Sequence, residues 1–285
     1  MDMTTQAVTP ELRQWIVEQA QAGCRPEDVL ASMRASGWTE AVALAALEHT
    51  LQQFVSGQDT ARALPPAVAV PAPALAGAPN RLWAGDRHVS VLLTLRNPQV
   101  VVFGGLLSDD ECDAMVADAA PRMARSETVV VETGGNEVNP SRTSQGMFFG
   151  RGETALCARI EARVGALLHW PVVNGEGLQV LHYQPGAEYK PHHDYFDPAQ
   201  PGMAAVLARG GQRVGTLVVY LNTPEQGGAT VFPDVALDVT PIKGNAVFFS
   251  YDRPHASTRT LHGGAPVIAG EKWVATKWLR EREFI

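Results

Sequence analysis

The chain has 285 residues, with 23 lysines and arginines against 30 aspartates and glutamates, which gives a formal net charge of −7. Its composition, 45% hydrophobic and 19% charged, is typical of a globular protein and not of a disordered one. The acidic balance argues against binding to nucleic acid or to anionic membranes, because both need clustered lysine and arginine. We therefore expect a folded protein with no nucleic-acid and no membrane partner.

The N-terminus and the cysteines bear on the cellular compartment. The first ten residues have no basic region followed by an apolar stretch, so no signal peptide is predicted. No apolar run reaches the roughly 18 residues that would predict a membrane-spanning helix. The three cysteines (Cys24, Cys112 and Cys157) form no CxxC motif. Isolated cysteines in odd number predict neither a disulfide framework nor a cysteine-based zinc site, and we expect a cytoplasmic protein.

Residues 1–54 carry the pattern of three short helices. Thr9 and Pro10 suit a helix start, and Leu12 and Ile16 follow at helical spacing. Glycine and proline residues then interrupt the pattern twice. This segment has 3 basic and 7 acidic residues, so it holds most of the net negative charge. We predict a small helical bundle over 1–54, a candidate for recruiting a protein partner.

Residues 55–80 are rich in alanine, proline and glycine. Five prolines lie in this stretch: Pro65, Pro66, Pro71, Pro73 and Pro79. Such a composition supplies little material for a core and favours an extended, semi-rigid conformation. We predict a linker over 55–80, and a docking segment is the alternative.

From residue 81 to the end of the chain, short apolar segments alternate with glycine- and proline-rich turns. Two helices are predicted, over 108–119 and 155–168. Strands are predicted over 100–103, 178–183, 214–221, 229–232, 245–249 and 272–279. Many short strands with a few helices indicate an α+β fold. We expect a double-stranded β-helix (jelly roll) with flanking helices over 81–285, preceded by the small N-terminal helical bundle.

The sequence Pro191-His192-His193-Asp194 is a candidate for metal binding. On a strand, His192 and Asp194 share one face while His193 faces away. An imidazole and a carboxylate are two of the three ligands in a 2-His-1-carboxylate site for Fe(II). His-x-Asp is common by chance, so this motif needs a third ligand to carry weight.

Two downstream histidines compete as that third ligand. His262 precedes an apolar strand that contains Lys272, whereas His255 lies in a polar loop. A lysine within an apolar pattern needs an anionic partner, because an unpaired buried ammonium is costly. A dicarboxylate co-substrate would be such a partner, so we choose His262. The alternative for Lys272 is an edge position from which its ammonium reaches solvent.

Further motifs extend this pattern over about 95–282. They are Arg142-Thr143-Ser144, Glu176-x-x-Gln179, Tyr183-x-x-Gly186-x-x-Tyr189-x-x-His192-x-Asp194, Gly211-Gln212-Arg213, Gly227-Gly228-x-Thr230 and Gly270-x-Lys272-Trp273. In this order and spacing the region resembles the catalytic domain of 2-oxoglutarate/Fe(II)-dependent dioxygenases. The closest resemblance is to the prolyl 4-hydroxylase alpha-subunit type.

The resemblance implies roles for individual residues. It implies three catalytic ligands of Fe(II): His192, Asp194 and His262. Lys272 is implied to hold the distal carboxylate of 2-oxoglutarate, helped by the hydroxyls of Tyr183 and Thr230. One cation with two hydroxyl donors suits a carboxylate in a partly dry pocket. Ordinary strand packing is the alternative for Tyr183 and Thr230.

The resemblance also implies a groove for a proline-containing peptide. The matching positions are Arg142, Ser144, Glu176, Arg213 and Trp278. An extended peptide offers carbonyls to arginines and ring faces to aromatic side chains. The alternative is that Arg142 and Arg213 belong to structural ion pairs. The family often has histidine where this chain has Arg280, so the role of that position is open.

The implied function is hydroxylation of prolyl residues at C4 in a peptide or protein, with release of succinate and CO2. The implied cofactors are Fe(II), 2-oxoglutarate, O2 and ascorbate. One alternative keeps the oxygenase chemistry but changes the substrate to a free amino acid or another side chain. Another alternative is a non-catalytic binding or sensor module.

Overall fold

The structure is a computed structural model that describes residues 8–21, 24–60, 64–125, 127–129, 136–138 and 143–285. The chain divides into two compact units between Pro65 and Pro66. In the described part of the chain, none of the helices has both the length and the apolar character needed to cross a membrane.

The first unit contains three helices in the region where three were predicted. They are α1 (Pro10–Gln21), α2 (Pro26–Ala35) and α3 (Glu40–Thr60). In α2, acidic residues in the first turn and Arg34 in the last turn complement the helix dipole. The helices share a small apolar core whose buried members are Ile16, Val29, Met33, Ala43, Ala46 and Leu47.

The structure places the end of α3 beyond the predicted boundary. The helix continues to Thr60, inside the segment 55–80 that was predicted as a linker. No proline occurs between Glu40 and Pro65, so nothing in the covalent structure forces an earlier end.

Residues 66–80, called the arm below, also depart from the linker prediction. The arm has no regular secondary structure, yet it is fixed to the second unit. The N–H of Val68 donates to the carbonyl of Asp252 (2.8 Å), and the N–H of Ala72 donates to that of Leu168 (3.0 Å). Its composition excludes a core of its own but not attachment to an existing one. The side chains that it buries or packs onto that core are Pro71, Pro73 and Leu75.

The second unit contains all of the described strands. In chain order they are β1 (Arg81–Trp83), β2 (His88–Leu95), β3 (Gln99–Gly104), β4 (Ala124–Arg125), β5 (Glu127–Val129), β6 (Asn136–Val138), β7 (Gln145–Phe149), β8 (Leu178–Tyr183), β9 (Tyr189–His192), β10 (Arg213–Tyr220), β11 (Gln226–Gly227), β12 (Thr230–Phe232), β13 (Leu237–Val239), β14 (Ala246–Ser250), β15 (His262–Gly264), β16 (Val267–Ala269) and β17 (Lys272–Arg280).

These strands form antiparallel sheets. The larger sheet has nine strands in the order β1-β2-β3-β14-β10-β17-β8-β7-β4, and a four-stranded sheet has the order β13-β12-β15-β9. Strands β3 and β14 are neighbours in the larger sheet although they are distant in the sequence. Between them the chain also contributes β9, β12 and β13 to the four-stranded sheet, so it crosses between the sheets repeatedly. Mostly antiparallel sheets with such crossings are what the jelly-roll prediction requires.

Three helices accompany the sheets, α4 (Asp109–Ala119), α5 (Ala155–Leu168) and α6 (Met203–Ala208). The first two were predicted, and each begins directly after a residue whose side chain caps the helix. Ser108 and Glu111 form a reciprocal capping box at the start of α4. The side chain of Thr154 accepts a hydrogen bond from the N–H of Cys157 at the start of α5.

The two faces of the central strands have different neighbours, because alternate residues of a strand point to opposite faces. One face packs in a core with α4 and α5, and its members include Leu217, Val219, Ala275, Met115 and Ile160. The other face lines a cavity through Thr216, Val218, Val274, Thr276 and Trp278. The four-stranded sheet contributes His262 to the same cavity, so the site lies where the two sheets meet.

Candidate active site

Two histidines meet across paired strands at one end of the cavity. In the antiparallel pair of β9 and β15, His192 lies directly opposite His262, and their ring centroids are 4.5 Å apart. Gly263 permits this close pairing, since a Cβ there would lie 2.8 Å from the carbonyl oxygen of Tyr189. The strand register therefore brings together two imidazoles that are far apart in the sequence.

Asp194 completes a cluster with these histidines. Its Oδ1 lies 3.5 Å from His192 Nε2, and its Oδ2 lies 3.4 Å from His262 Nε2. One ligand atom from each of the three residues falls within 4.8 Å of the others. The expected placement of Asp194 on the strand is wrong, because β9 ends at His192. A bend after the strand still turns the carboxylate towards the imidazoles.

Backbone carbonyls determine which nitrogen of each histidine faces the cluster. His192 Nδ1 lies 2.9 Å from the carbonyl oxygen of Lys190, and His262 Nδ1 lies 3.0 Å from that of Thr260. A carbonyl oxygen only accepts hydrogen bonds, so each Nδ1 carries the hydrogen. Both Nε2 atoms then present a lone pair towards Asp194. This is how metal-binding histidines are usually held.

The ionisation states also suit a metal. Burial lowers the pKa of His262 to about 4, which leaves this imidazole neutral near pH 7. Burial by itself would raise the pKa of Asp194, but the positive charges of protonated His262, protonated His192 and Arg213 hold it below its usual range, so the carboxyl loses its proton while the imidazoles still carry theirs. A carboxylate beside two available imidazole nitrogens is a donor set that Fe(II) accepts.

Two hydroxyls stand behind Asp194. Thr216 Oγ1 on β10 donates a hydrogen bond of 2.7 Å to Asp194 Oδ2. The hydroxyl of Tyr251, directly after β14, lies 2.9 Å from Thr216 Oγ1. Sequence reasoning assigned no role to either residue, because threonine and tyrosine on strands fit ordinary β-sheet packing.

Lys272 lies at the other end of the same cavity. Lys272 is only 4% exposed, and it is the first residue of β17, a central strand of the nine-stranded sheet. The alternative of an edge lysine whose ammonium reaches solvent is therefore wrong. Burial lowers the pKa of Lys272 to about 8. In the described residues no carboxylate forms an ion pair with its ammonium. The Lys272 Nζ lies 5.4 Å from the ring centroid of Tyr183. A buried cation without an anion indicates a site for one.

The two residues whose hydroxyls are expected beside Lys272, Tyr183 and Thr230, line the same cavity. Tyr183 on β8 is the direct cross-strand partner of Lys272. Thr230 on β12 lines the cavity, and its Oγ1 accepts a hydrogen bond of 2.8 Å from the hydroxyl of Tyr220. Because that contact uses the hydrogen of Tyr220, the hydrogen of Thr230 remains for another acceptor. Tyr220 is therefore a supporting residue, and no role was assigned to it from the sequence.

His255 takes no part in this cavity. Its Nδ1 accepts a hydrogen bond of 3.1 Å from the N–H of Ser257, and this contact caps a short 3₁₀ turn. Among the described residues, His262 is the histidine that joins His192 and Asp194. The geometry thus favours His262 over His255.

Glu176 and Arg213, both expected to contact substrate, bind each other. Arg213 Nε and Nη2 donate to the two carboxylate oxygens of Glu176 at 2.7 and 2.9 Å. The guanidinium also lies 3.9 Å from the ring centroid of Trp278. This is the structural ion pair that was the alternative for Arg213, so its guanidinium is not free to meet a peptide in the way that was expected.

The other expected substrate residues have different positions. Arg142 falls outside the described residues. Ser144 is buried near the start of β7. Trp278 lines the cavity, and its buried Nε1 has no hydrogen-bond partner in the described part of the chain. An unpaired buried indole N–H is unusual, since most buried donors are satisfied.

Arg280, in the position where histidine was expected, is buried beneath the Glu176–Arg213 pair. Its Nη2 donates to the carbonyl of Val206 at 2.6 Å, and its Nε lies 3.6 Å from Glu176 Oε1. Among the described residues its Nε and Nη1 have no hydrogen-bond partner. Burial lowers the pKa of Arg280 to about 10. It therefore supports the pair from inside and does not line the cavity.

Comparisons with known proteins agree with this geometry. A model of the 2OG-Fe(II) oxygenase superfamily matches residues 178–280, which contain all three cluster residues and Lys272. Prolyl 4-hydroxylase 5 of Arabidopsis thaliana is 39% identical over 222 residues, which cover 70% of this chain and 74% of the relative. The chain belongs to the 2OG-Fe(II) oxygenase superfamily. This makes it a 2-oxoglutarate-dependent dioxygenase with the jelly-roll fold, and it implies Fe(II), 2-oxoglutarate and O2 as its requirements.

Other similar proteins carry related names. Prolyl 4-hydroxylase 1 of Arabidopsis thaliana is 37% identical to this oxygenase over 226 residues, which cover 70% of this chain and 78% of the relative. Among solved structures, the viral collagen prolyl hydroxylase of Paramecium bursaria Chlorella virus-1, in complex with 2OG, gives a TM-score of 0.48 at 30% identity. That match covers 64% of this chain and 95% of the viral chain.

Proposed function

We propose that this oxygenase hydroxylates C4 of prolyl residues in a peptide or protein and converts 2-oxoglutarate to succinate and CO2. The observation that carries the proposal is the pairing of two features in one cavity. One is the cluster of His192, Asp194 and His262, and the other is the buried cation of Lys272 without a protein anion. The relatives named prolyl 4-hydroxylases support prolyl residues as the target.

We assign Fe(II) to the Nε2 atoms of His192 and His262 and to the carboxylate of Asp194. Two imidazoles and one carboxylate fill three positions and leave others open for co-substrate and O2. With 2-oxoglutarate and O2, bound iron supplies the oxidising power that an unactivated carbon requires. The protein holds the ligands in one arrangement and excludes bulk water.

The distal carboxylate of 2-oxoglutarate is assigned to the Lys272 end of the cavity. Lys272, Tyr183 and Thr230 offer one ammonium and two hydroxyls, and in the described residues none of these donors is committed to a protein acceptor. Charge-assisted hydrogen bonds in a dry site are the strongest kind. A dicarboxylate that reaches from this end to the metal end is therefore bound at both of its ends.

The substrate peptide is assigned to the side of the cavity where Trp278 lies. The unpaired indole N–H of Trp278 suits a peptide carbonyl, and its ring suits the face of a proline. Arg142 and Ser144 remain proposed contacts. The Glu176–Arg213 pair holds the indole in position through the guanidinium stacked on its ring. We also propose ascorbate as the reductant that keeps the iron in the Fe(II) state.

The test uses the purified chain with Fe(II), 2-oxoglutarate, ascorbate and a set of proline-containing peptides. We expect succinate formation that depends on the peptide, and a mass gain of one oxygen located on proline by fragmentation. The absence of succinate above the peptide-free level for every peptide would overturn the proposal. A mass gain on another residue would keep the oxygenase and reject prolyl residues as its target.

A further inference from the structure

The carboxylate of Asp194 is held from behind by residues that do not belong to the metal cluster. Thr216 is buried on β10, and Tyr251 is buried directly after β14. Antiparallel pairing of these two strands places the two hydroxyls next to each other. The chain of contacts runs from Tyr251 through Thr216 to Asp194, with oxygen–oxygen distances of 2.9 and 2.7 Å.

The hydrogen positions in this chain follow from the chemistry of its ends. The ionised carboxylate of Asp194 can only accept, so Thr216 must donate its single hydrogen to it. The contact between Thr216 and Tyr251 must then use the hydrogen of Tyr251. Burial raises the pKa of Tyr251 well above its usual value, which keeps that hydrogen in place. The direction is therefore fixed as Tyr251 to Thr216 to Asp194.

Asp194 needs such support because its own segment is irregular. It lies past the end of β9, where no ladder hydrogen bonds restrain the backbone. The next anchor along the chain is Phe196, whose N–H and carbonyl both bond to the side-chain amide of Gln212. Neither of these bonds restrains rotation of the carboxylate. Among the described residues, Thr216 is the one donor outside the cluster that forms a hydrogen bond with this carboxylate.

We propose that Thr216 and Tyr251 are positioning residues for the metal site, an inference that rests on the proposed function. By donating to Oδ2, Thr216 restrains rotation of the carboxylate and fixes its plane, so that Oδ1 is held towards the ion. The carboxylate then binds the ion mainly through Oδ1. A carboxylate bound through both oxygens would occupy a position that the co-substrate or O2 needs. Tyr251 acts through Thr216 by fixing the direction of its hydroxyl.

The main test measures metal binding by the full-length chain without 2-oxoglutarate or peptide. Fe(II) is titrated calorimetrically in the absence of O2 into wild type, Thr216→Val, Thr216→Ser and Tyr251→Phe. We expect a loss in affinity of about 10- to 100-fold for Thr216→Val, which keeps the shape but lacks the hydroxyl. Tyr251→Phe is expected to lose less, and Thr216→Ser to remain close to wild type.

A matched control is Thr276→Val, which removes a buried threonine hydroxyl that lines the same cavity. In the described residues this hydroxyl forms no hydrogen bond with Asp194, so metal affinity should not change. Thermal unfolding of every variant shows whether it is folded. An equal loss for Thr276→Val and Thr216→Val would overturn the inference, because it would reflect general damage to the cavity.

Two further measurements separate positioning from ordinary packing. Co(II) replaces Fe(II), and its visible spectrum, which reports the number and arrangement of its ligands, should change in Thr216→Val and be restored in Thr216→Ser. The double variant Thr216→Val/Tyr251→Phe should bind metal no worse than Thr216→Val, because Tyr251 acts through Thr216. Unchanged affinity and spectrum in Thr216→Val would overturn the inference. If wild type itself bound neither ion, the proposed function would fail instead.

Discussion

The two ends of the cavity are built in opposite ways. At the metal end each polar group has partners within the protein: carbonyls hold the imidazoles, and Thr216 holds the carboxylate. At the Lys272 end, one buried ammonium and two hydroxyls face the cavity without a carboxylate in the described part of the chain. The first end is assembled before any ligand arrives, whereas the second is complete only when an anion binds.

This difference has an energetic meaning. An unpaired buried charge opposes folding, whereas a paired one does not do so to the same degree. The ligand-free protein therefore pays for Lys272 in stability and recovers that free energy when a carboxylate binds. The metal end carries no comparable cost in folding free energy. Substitutions at the two ends should therefore differ in how they change stability and ligand affinity.

The largest effect is expected from breaking the metal end. His262→Ala removes a ligand, so Fe(II) binding measured by anaerobic titration should fall by more than the roughly 100-fold that loss of an outer partner causes. His255→Ala is the matched control, because that histidine only caps a turn, and it should bind iron as wild type does. Loss of binding in His255→Ala with retention in His262→Ala would reverse the assignment of the ligand.

The next effect compares two buried lysines of the same strand. Lys272→Met should weaken 2-oxoglutarate binding by roughly 10- to 150-fold, the value of a charge-assisted hydrogen bond of about 1.5–3 kcal/mol. Metal affinity should not change. The free energy of unfolding of the ligand-free protein should rise by about 1–3 kcal/mol, because an unsatisfied buried group is removed.

Lys277 is the control for that result, since its side chain is 2% exposed and its Nζ lies 2.5 Å from Glu161 Oε1. Lys277→Met leaves Glu161 buried without its cation and should lower the free energy of unfolding by about 3–5 kcal/mol. Chemical denaturation measures both variants. If both lowered stability equally, Lys272 would have a protein partner and the comparison of the two ends would fail.

A smaller effect is expected from pH. The pKa of Lys272 is lowered to about 8, so the folded protein loses this proton before the unfolded chain does. Between about pH 8 and 10 the unfolded chain binds more protons, and ligand-free stability gains a contribution as pH rises. Affinity for 2-oxoglutarate should fall over the same range, by up to about tenfold per pH unit. Lys272→Met should abolish both trends, and persistence of either one would assign it to another group.

The last effect concerns the arm, in which the N–H of Val68 donates a hydrogen bond to the carbonyl of Asp252, directly after Tyr251. A chain that begins at residue 81 loses this bond and the burial of Leu75, whereas one that begins at 66 keeps both. We expect the shorter chain to melt at a lower temperature, by the equivalent of about 2–4 kcal/mol. Equal melting temperatures would show that the arm contributes nothing to the fold.

The sequence revealed those residues that are unusual or distinctive within their local sequence pattern. Lys272 was visible because a charge stood within an apolar strand pattern, and α4 was predicted because Ser108, Asp109 and Asp110 suit the start of a helix. Thr216 and Tyr251 received no role from the sequence, since their residue types are ordinary for strands and their function depends on a partner elsewhere in the chain. Arg213 was misjudged for the same reason, because Glu176 meets it only through the sheet register.

The boundary of the larger unit was also beyond prediction from composition. Alanine and proline without charges indicate an extended chain, but they do not reveal whether another surface accepts it. The cavity end at Asp194 had a further difficulty. Strand β9 ends two residues before Asp194, and only the contact with Thr216 shows how the carboxylate is still held beside the imidazoles.

Attachment of the arm also determines which of the chain's own prolines other molecules can reach. The arm contains the segment Pro71-Ala72-Pro73. Both prolines are buried against the second unit, and Ala72 is tied to Leu168 by its backbone. While the arm stays attached, these two proline rings are inaccessible to other molecules.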